Sequence, residues 1–147
     1  MFRFAMLALT VLIAVASISC QSYSTGLQQT VVRVDETTAI AALHTIAVAQ
    51  QTYSISNGGN YATLQELRDG GYLDTRFSSP DGGAKDYSLT ISTKPQSGEA
   101  LAFFSCNADP KNSGPQAGRH FYIDSASSAL HVNPSQSATA QDPIAQP

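Results

Sequence analysis

A chain of 147 residues holds one modest domain at most, and with no Trp, six Phe and six Tyr its core has few large side chains. Charged residues make up only 13% of it, 8 basic against 11 acidic for a net charge of -3, a sparse balance typical of exported proteins rather than cytosolic enzymes. Arg68, Arg76, Lys85, Lys94 and Lys111 are scattered singly, so no basic stripe forms and the composition argues against nucleic acid as a partner.

Residues 1–19 read as a signal peptide. Arg3 supplies the positive start, "FAMLALTVLIAVA" from Phe4 to Ala16 is the apolar stretch, and small residues follow. Spanning a bilayer takes about 20 apolar residues, more than this run offers. Cleavage is expected after Ala16, where "AVA" has small residues at the right spacing, or after Ser19. The second choice makes Cys20 the first mature residue, and "SISC" resembles a bacterial lipobox, with Ser17 where Leu is usual. Cys20 is then lipidated; the alternatives are a simply secreted chain, with a Cys20–Cys106 disulfide open to it, and an uncleaved anchor. Gln21, in place of Asp, directs such a lipoprotein to the outer membrane of a Gram-negative cell. Without Arg3, 7 of the 8 basic residues remain against 11 acidic ones, a net of -4 from Cys20 onward.

Residues 20–34 are polar, rich in Gln, Ser and Thr, and read as a tether or the frayed entry of a helix. Asp35 is a candidate N-cap with Glu36 in the first turn. "TTAIAALHTIAVAQQTYSIS" then runs without Gly or Pro, with Ala39, Leu43, Ile46, Ala47 and Tyr53 at helical spacing. Asn57, Gly58 and Gly59 end that helix, since the glycines tolerate the left-handed conformation of a C-cap. "TLQELRDGG" predicts a second, short helix: Thr63 and Glu66 form a capping box, Leu64 and Leu67 face inward, and Gly70 stops it. A loop carrying Pro80 and the Asp81-Gly82-Gly83 turn follows.

From Asp86 the period becomes two, with Tyr87, Leu89 and Ile91 on one face. "ALAFFSCNA", "RHFYID" and "ALHVN" are the next strands, and short connections favour antiparallel neighbours. The expected fold class is α+β, a long helix and a short one packed on a small antiparallel sheet of three to four strands, within a domain of residues 35–133. Residues 134–147, with three prolines and little apolar content, are expected to be a disordered tail or spacer.

Catalytic and metal-binding patterns are absent from the sequence. His44, His120 and His131 include no i, i+4 pair, and no Cys-x-x-Cys accompanies them. A hairpin around "SASS" brings His120 and His131 close, with Asp124 as a third cation ligand, though two solvent-facing strand histidines are the commoner outcome. Cys106 lies in "FFSCNA", an apolar strand unsuited to a reactive thiol, and pairing it with His120 as nucleophile and base is the weaker reading. No Gly-x-Ser-x-Gly elbow and no Gly-rich phosphate loop occur. Tyr61, Tyr72, Phe77, Phe103, Phe104, Phe121 and Tyr122 are read as core and rim of the helix-on-sheet packing rather than as a ligand groove. No cofactor, metal or catalytic residue is therefore expected.

The segments "AIAALHTIAVAQQTY", "GGNYATLQEL", "GYLD", "NADP" and "GRHFYIDSASSAL" occur in an order and spacing that resembles the globular region of type IV pilin-like proteins, above all the major-pseudopilin-like group of type II secretion. The resemblance covers about Asp35 to Val132 and implies a helix packed on a small antiparallel sheet. The N-terminus departs from the pattern: no Gly precedes the apolar run, no Glu lies in it, and the calcium-site loop of many major pseudopilins is not recognisable. The resemblance, together with the lipobox-like leader, implies a non-enzymatic envelope protein, joined to the membrane by a lipid on Cys20 and to protein partners in the envelope or secretion machinery. One alternative is a degenerate pilin or pseudopilin subunit that keeps its apolar segment, and another is a secreted small-ligand binder or enzyme using Cys106.

Overall fold

The computed structural model describes residues 2–79, 83–114 and 117–146, with side chains from residue 29 onward. Helix α1 (Phe2–Ser56) leads into a short helix α2 (Leu64–Asp69) and a 3-10 turn (Thr75–Ser78); then come β1 (Tyr87–Lys94), β2 (Phe103–Pro110), β3 (His120–Asp124) and β4 (His131–Asn133). The strands form one antiparallel meander in the order β1-β2-β3-β4. This is the α+β arrangement of helix and four-stranded sheet that the change of period predicts.

The start of α1 differs from expectation. Asp35 is not an N-cap but lies in the interior of α1, and of the two readings of residues 20–34, a tether or the entry of a helix, the helical one is found. No Gly or Pro interrupts the chain from Leu27 to Asn57, and an Asp in mid-helix costs under about 1 kcal/mol. A favourable capping residue thus marks a possible start without enforcing one. The signal peptide, its cleavage site and the lipid on Cys20 fall on side chains outside the described residues, as do Pro80, Asp81 and Gly82 of the predicted turn. Among the described residues no helix is long and apolar enough to cross a membrane.

The other end of α1 follows the sequence. Gly58 and Gly59 adopt φ of +63° and +85°, and the Gly59 N–H returns to the Ser54 carbonyl at 2.9 Å. The capping box of α2 forms as read: Glu66 N–H donates to Thr63 Oγ1 at 3.2 Å, and Thr63 N–H to the Glu66 carboxylate at 2.7 Å.

One face of α1 lies on β2 and β3. Ala39, Ala42, Leu43, Ile46, Ala47 and Ala49 are buried there against Phe104, Cys106, Ala108, Phe121 and Ile123, and Leu67, Leu73 and Phe77 close the end of the core. Small alanines let the helix approach the sheet, while Leu43 and Ile46 are fully buried in the same core as Phe104 and Phe121. Two polar residues are buried with them. Gln50 is held by its carboxamide, which donates to the Ala62 carbonyl at 2.6 Å and accepts from the Ala62 N–H at 2.9 Å. Glu36 accepts from the Arg119 N–H at 2.9 Å and from its guanidinium at 2.8 Å. Beside that pair Tyr87 donates its hydroxyl to the Arg119 carbonyl at 2.8 Å, in a space open only because residue 118 is Gly.

Residues 134–146, expected to be disordered, fold back on the sheet. Val132 N–H donates to the Pro143 carbonyl at 2.9 Å, Ala145 N–H to the Leu130 carbonyl at 2.7 Å, and Ala138 is buried. Hydrophobic content underestimates the order of this segment because hydrogen bonds, not apolar burial, hold it.

Candidate functional site

The candidate cation ligands are brought to one face of the sheet but not to one point. In β3 and β4 the register pairs Tyr122 with His131 and His120 with Asn133, which puts His120, Tyr122, Asp124 and His131 on the side away from α1. Each has its own partner. His120 Nδ1 is 2.6 Å from an Asp109 carboxylate oxygen; His131 Nδ1 donates to the Asp142 carbonyl at 2.6 Å. Asp124 accepts the Tyr122 hydroxyl at 3.0 Å and the N–H groups of Ala126 and Ser127 at 2.9 and 3.0 Å, forming the turn after β3. Burial pushes the Asp124 carboxyl up, but the Ser127 and Ala126 N–H groups and the two hydroxyls of Tyr122 and Ser127 hold it below the usual carboxylate range. Burial, with Asp124 beside it, pushes the Tyr122 phenol up to about 12. Among the described residues no group of three or more His, Cys, Asp or Glu is arranged to hold a metal ion.

Cys106 points the other way, into the helix-facing core. It is fully buried, and burial, with Asp109 as a lesser cause, pushes its thiol up to about 12. A thiol so placed supplies no thiolate near neutral pH, which opposes its use as a nucleophile. His120 lies on the opposite face, engaged with Asp109. Of the aromatic set, Phe77, Phe104 and Phe121 are core and Tyr61 meets Phe104 edge-on at 4.9 Å, whereas the half-buried Tyr72 lines a groove against α1.

The feature that the sequence reading missed is the outward face of α1. Val31, Val34, Thr38, Ala41, Thr45, Val48, Thr52 and Ile55 recur at alternating steps of three and four, and all except the half-buried Thr45 are exposed. This is the spacing with which one helix meets another along a left-handed supercoil. Three of these residues are threonines whose hydroxyls are already used: Thr38 donates to the Val34 carbonyl at 2.9 Å, Thr45 to Ala41 at 2.8 Å and Thr52 to Val48 at 2.9 Å. With the hydroxyl turned onto the helix backbone, the methyl is the free branch, and the row is apolar in effect. No Asp, Glu, Lys or Arg occurs from Thr37 to Gln65. A solvated helix face ordinarily carries such charges. The legible signal was this absence together with the three-four step, on the face opposite the inward stripe of Leu43 and Ile46.

Beside the row a groove of about 570 Å³ runs between His44, Val48 and Thr52 of α1 and Gly71 and Tyr72 after α2. At the other end of the row Asp35 and Asp86 face each other, and the Asp35 carboxyl is raised by burial and then by the Asp86 charge. Charge is therefore confined to the margin of the surface. Comparison with protein-family models, with curated proteins and with solved structures finds no match to the chain.

Proposed function

We propose that the chain is a non-enzymatic, exported cell-envelope protein with a pilin-like domain, anchored through a lipid on Cys20 and serving as a structural or interaction module. The observation that carries this reading is the exposed, uncharged row from Val31 to Ile55, whose three-four spacing suits a helix of a protein partner and offers no reactive group. Cys106, the nucleophile of an enzymatic reading, is sealed in the core. Its substitution by Ser is expected to leave every biological readout unchanged.

A second reading has an observation of its own. Helix α1 continues without a break from Phe2 to Ser56, as a pilin or pseudopilin subunit of a type IV pilus or type II secretion apparatus would require if it retained its apolar segment. The intact mass of the protein purified from its host separates the two. A chain starting at Cys20 with a diacylglyceryl group supports the lipoprotein, and one retaining Phe4 to Ala16 supports the subunit. For the interaction surface, Val48→Glu is expected to weaken cross-linking to envelope partners about tenfold, since a charge buried in a helix contact is left unpaired. Unchanged cross-linking would remove the α1 row from the proposal.

A further inference from the structure

The sheet has two edges, and at one of them the chain binds itself. β4 is the last strand, and the groups it turns outward are met by the C-terminal segment: Val132 N–H by the Pro143 carbonyl, the Leu130 carbonyl by the Ala145 N–H, with His131 opposite Ile144 in antiparallel register. Side chains fix the alignment. His131 Nδ1 donates to the Asp142 carbonyl, Asn133 Nδ2 donates to the Asp142 carboxylate at 2.7 Å, and that carboxylate also accepts the Thr139 N–H at 2.7 Å. Across the outer face, Asn107 Nδ2 donates to the Ala138 carbonyl at 2.7 Å, and Ser137 donates its hydroxyl to Asp109 at 2.9 Å.

This is how an edge recognises an extended peptide: main-chain bonds supply the grip, and polar side chains set the register. The hold is almost entirely polar. Among residues 134–146 the one buried hydrophobic is Ala138, and Ile144 is exposed. A terminal segment with so little buried apolar surface belongs to the part of a structure that opens first. It joins the domain covalently through the turn in which Asn133 Oδ1 accepts the N–H groups of Ser135 and Gln136, at 3.0 and 3.1 Å.

We propose that the outer edge of β4 is a peptide-binding edge, occupied in cis by residues 142–145 while 137–138 lie across the outer face on β2, and that the partner it fits is the same segment of a second copy. Complementarity argues for that partner, because every contact made in cis is available to an identical strand in trans, as when terminal elements swap between protomers. Exchange between two identical copies is mutual, so each open edge is filled by the other copy's segment and the product is a closed pair. This inference does not depend on the α1 row or on the lipid.

The test uses the full chain and a chain truncated after Asn133, both in detergent, with a fluorescein-labelled peptide of residues 134–147. The truncated chain is expected to bind the peptide at least tenfold more tightly than the intact chain, whose edge is filled. A peptide carrying Ala145→Pro, which lacks the N–H that reaches Leu130, is expected to bind at least tenfold more weakly. Tagged truncated chain should also capture intact chain, but not intact chain carrying Ala145→Pro. Capture that ignores this substitution would assign association to another surface, such as α1, and overturn the edge. Should truncation prevent folding, amide exchange in the intact chain decides: Val132 is expected to exchange well before Cys106 and Ile123, and equal protection overturns the proposal.

Discussion

The two faces of the sheet are covered by opposite means. On one, α1 buries alanines, Leu43 and Ile46 against Phe104, Cys106 and Phe121; on the other, residues 134–146 are fastened over Asn107, Asp109, His131 and Asn133 by hydrogen bonds with little apolar burial. Apolar burial scales with area and is cooperative across a core, whereas each exposed hydrogen bond replaces one to water and contributes about 1 kcal/mol net. The helix-facing side is therefore where the fold is decided. The other side is where part of the chain detaches without the rest.

The largest effect expected from breaking this contrast is at Phe121, which is fully buried. Phe121→Ala leaves a cavity under α1 and is expected to destabilise the whole domain by about 3–5 kcal/mol, measured by urea unfolding. Next is Gly118→Ala. A Cβ at this position would stand 2.1 Å from the Tyr87 hydroxyl, so the Tyr87 contact with Arg119 is displaced, at roughly 1–3 kcal/mol. The same unfolding curve reads it.

On the outer face, Asn107→Ala removes the bonds to Ser137 and to the Ala138 carbonyl and is expected to cost about 1 kcal/mol. Its sharper signature is proteolysis between Ser135 and Gln141 at a rate well above the rest of the domain. If global unfolding and tail cleavage change in parallel, the two faces are not independent.

The smallest effect is that of acid. Thr139 N–H, with help from Asn133, the Thr139 hydroxyl and His131, holds the Asp142 carboxyl below the ordinary aspartate range. A depressed carboxyl contributes stability that is complete above its unfolded pKa and is lost as pH falls through the lower folded value. Tail protection is thus expected to persist at neutral pH and to fade below the ordinary aspartate pKa. In Asp142→Asn this acid dependence should flatten, as followed by amide exchange at Val132.

What could be read from the sequence divides along the same line. The period-two strands, the Thr63–Glu66 capping box and the glycine stop at 58–59 were legible because each is a local pattern. The core was legible from the spacing of Ala39, Leu43 and Ile46. Glu36 read as an ordinary first-turn acid, since nothing near it in sequence announces Arg119, 83 residues away. Segment 134–146 was misread because a hydrophobicity argument cannot see backbone bonds to an edge strand. The outward row of α1 was present in the spacing, but its threonines look polar until their hydroxyls are traced to the carbonyls one turn back.

The Glu36–Arg119 pair has a mechanical consequence. Along the described side chains of α1, Glu36 is the first that is buried, and it is tied to the residue just before β3. Tension drawn along α1 from its N-terminal end enters the domain at that clamp and passes into the inner strand β3, with β2 and β4 on either side of it. The domain is loaded through the middle of its sheet, where strands must slide past two neighbours at once, and not through an edge that could peel.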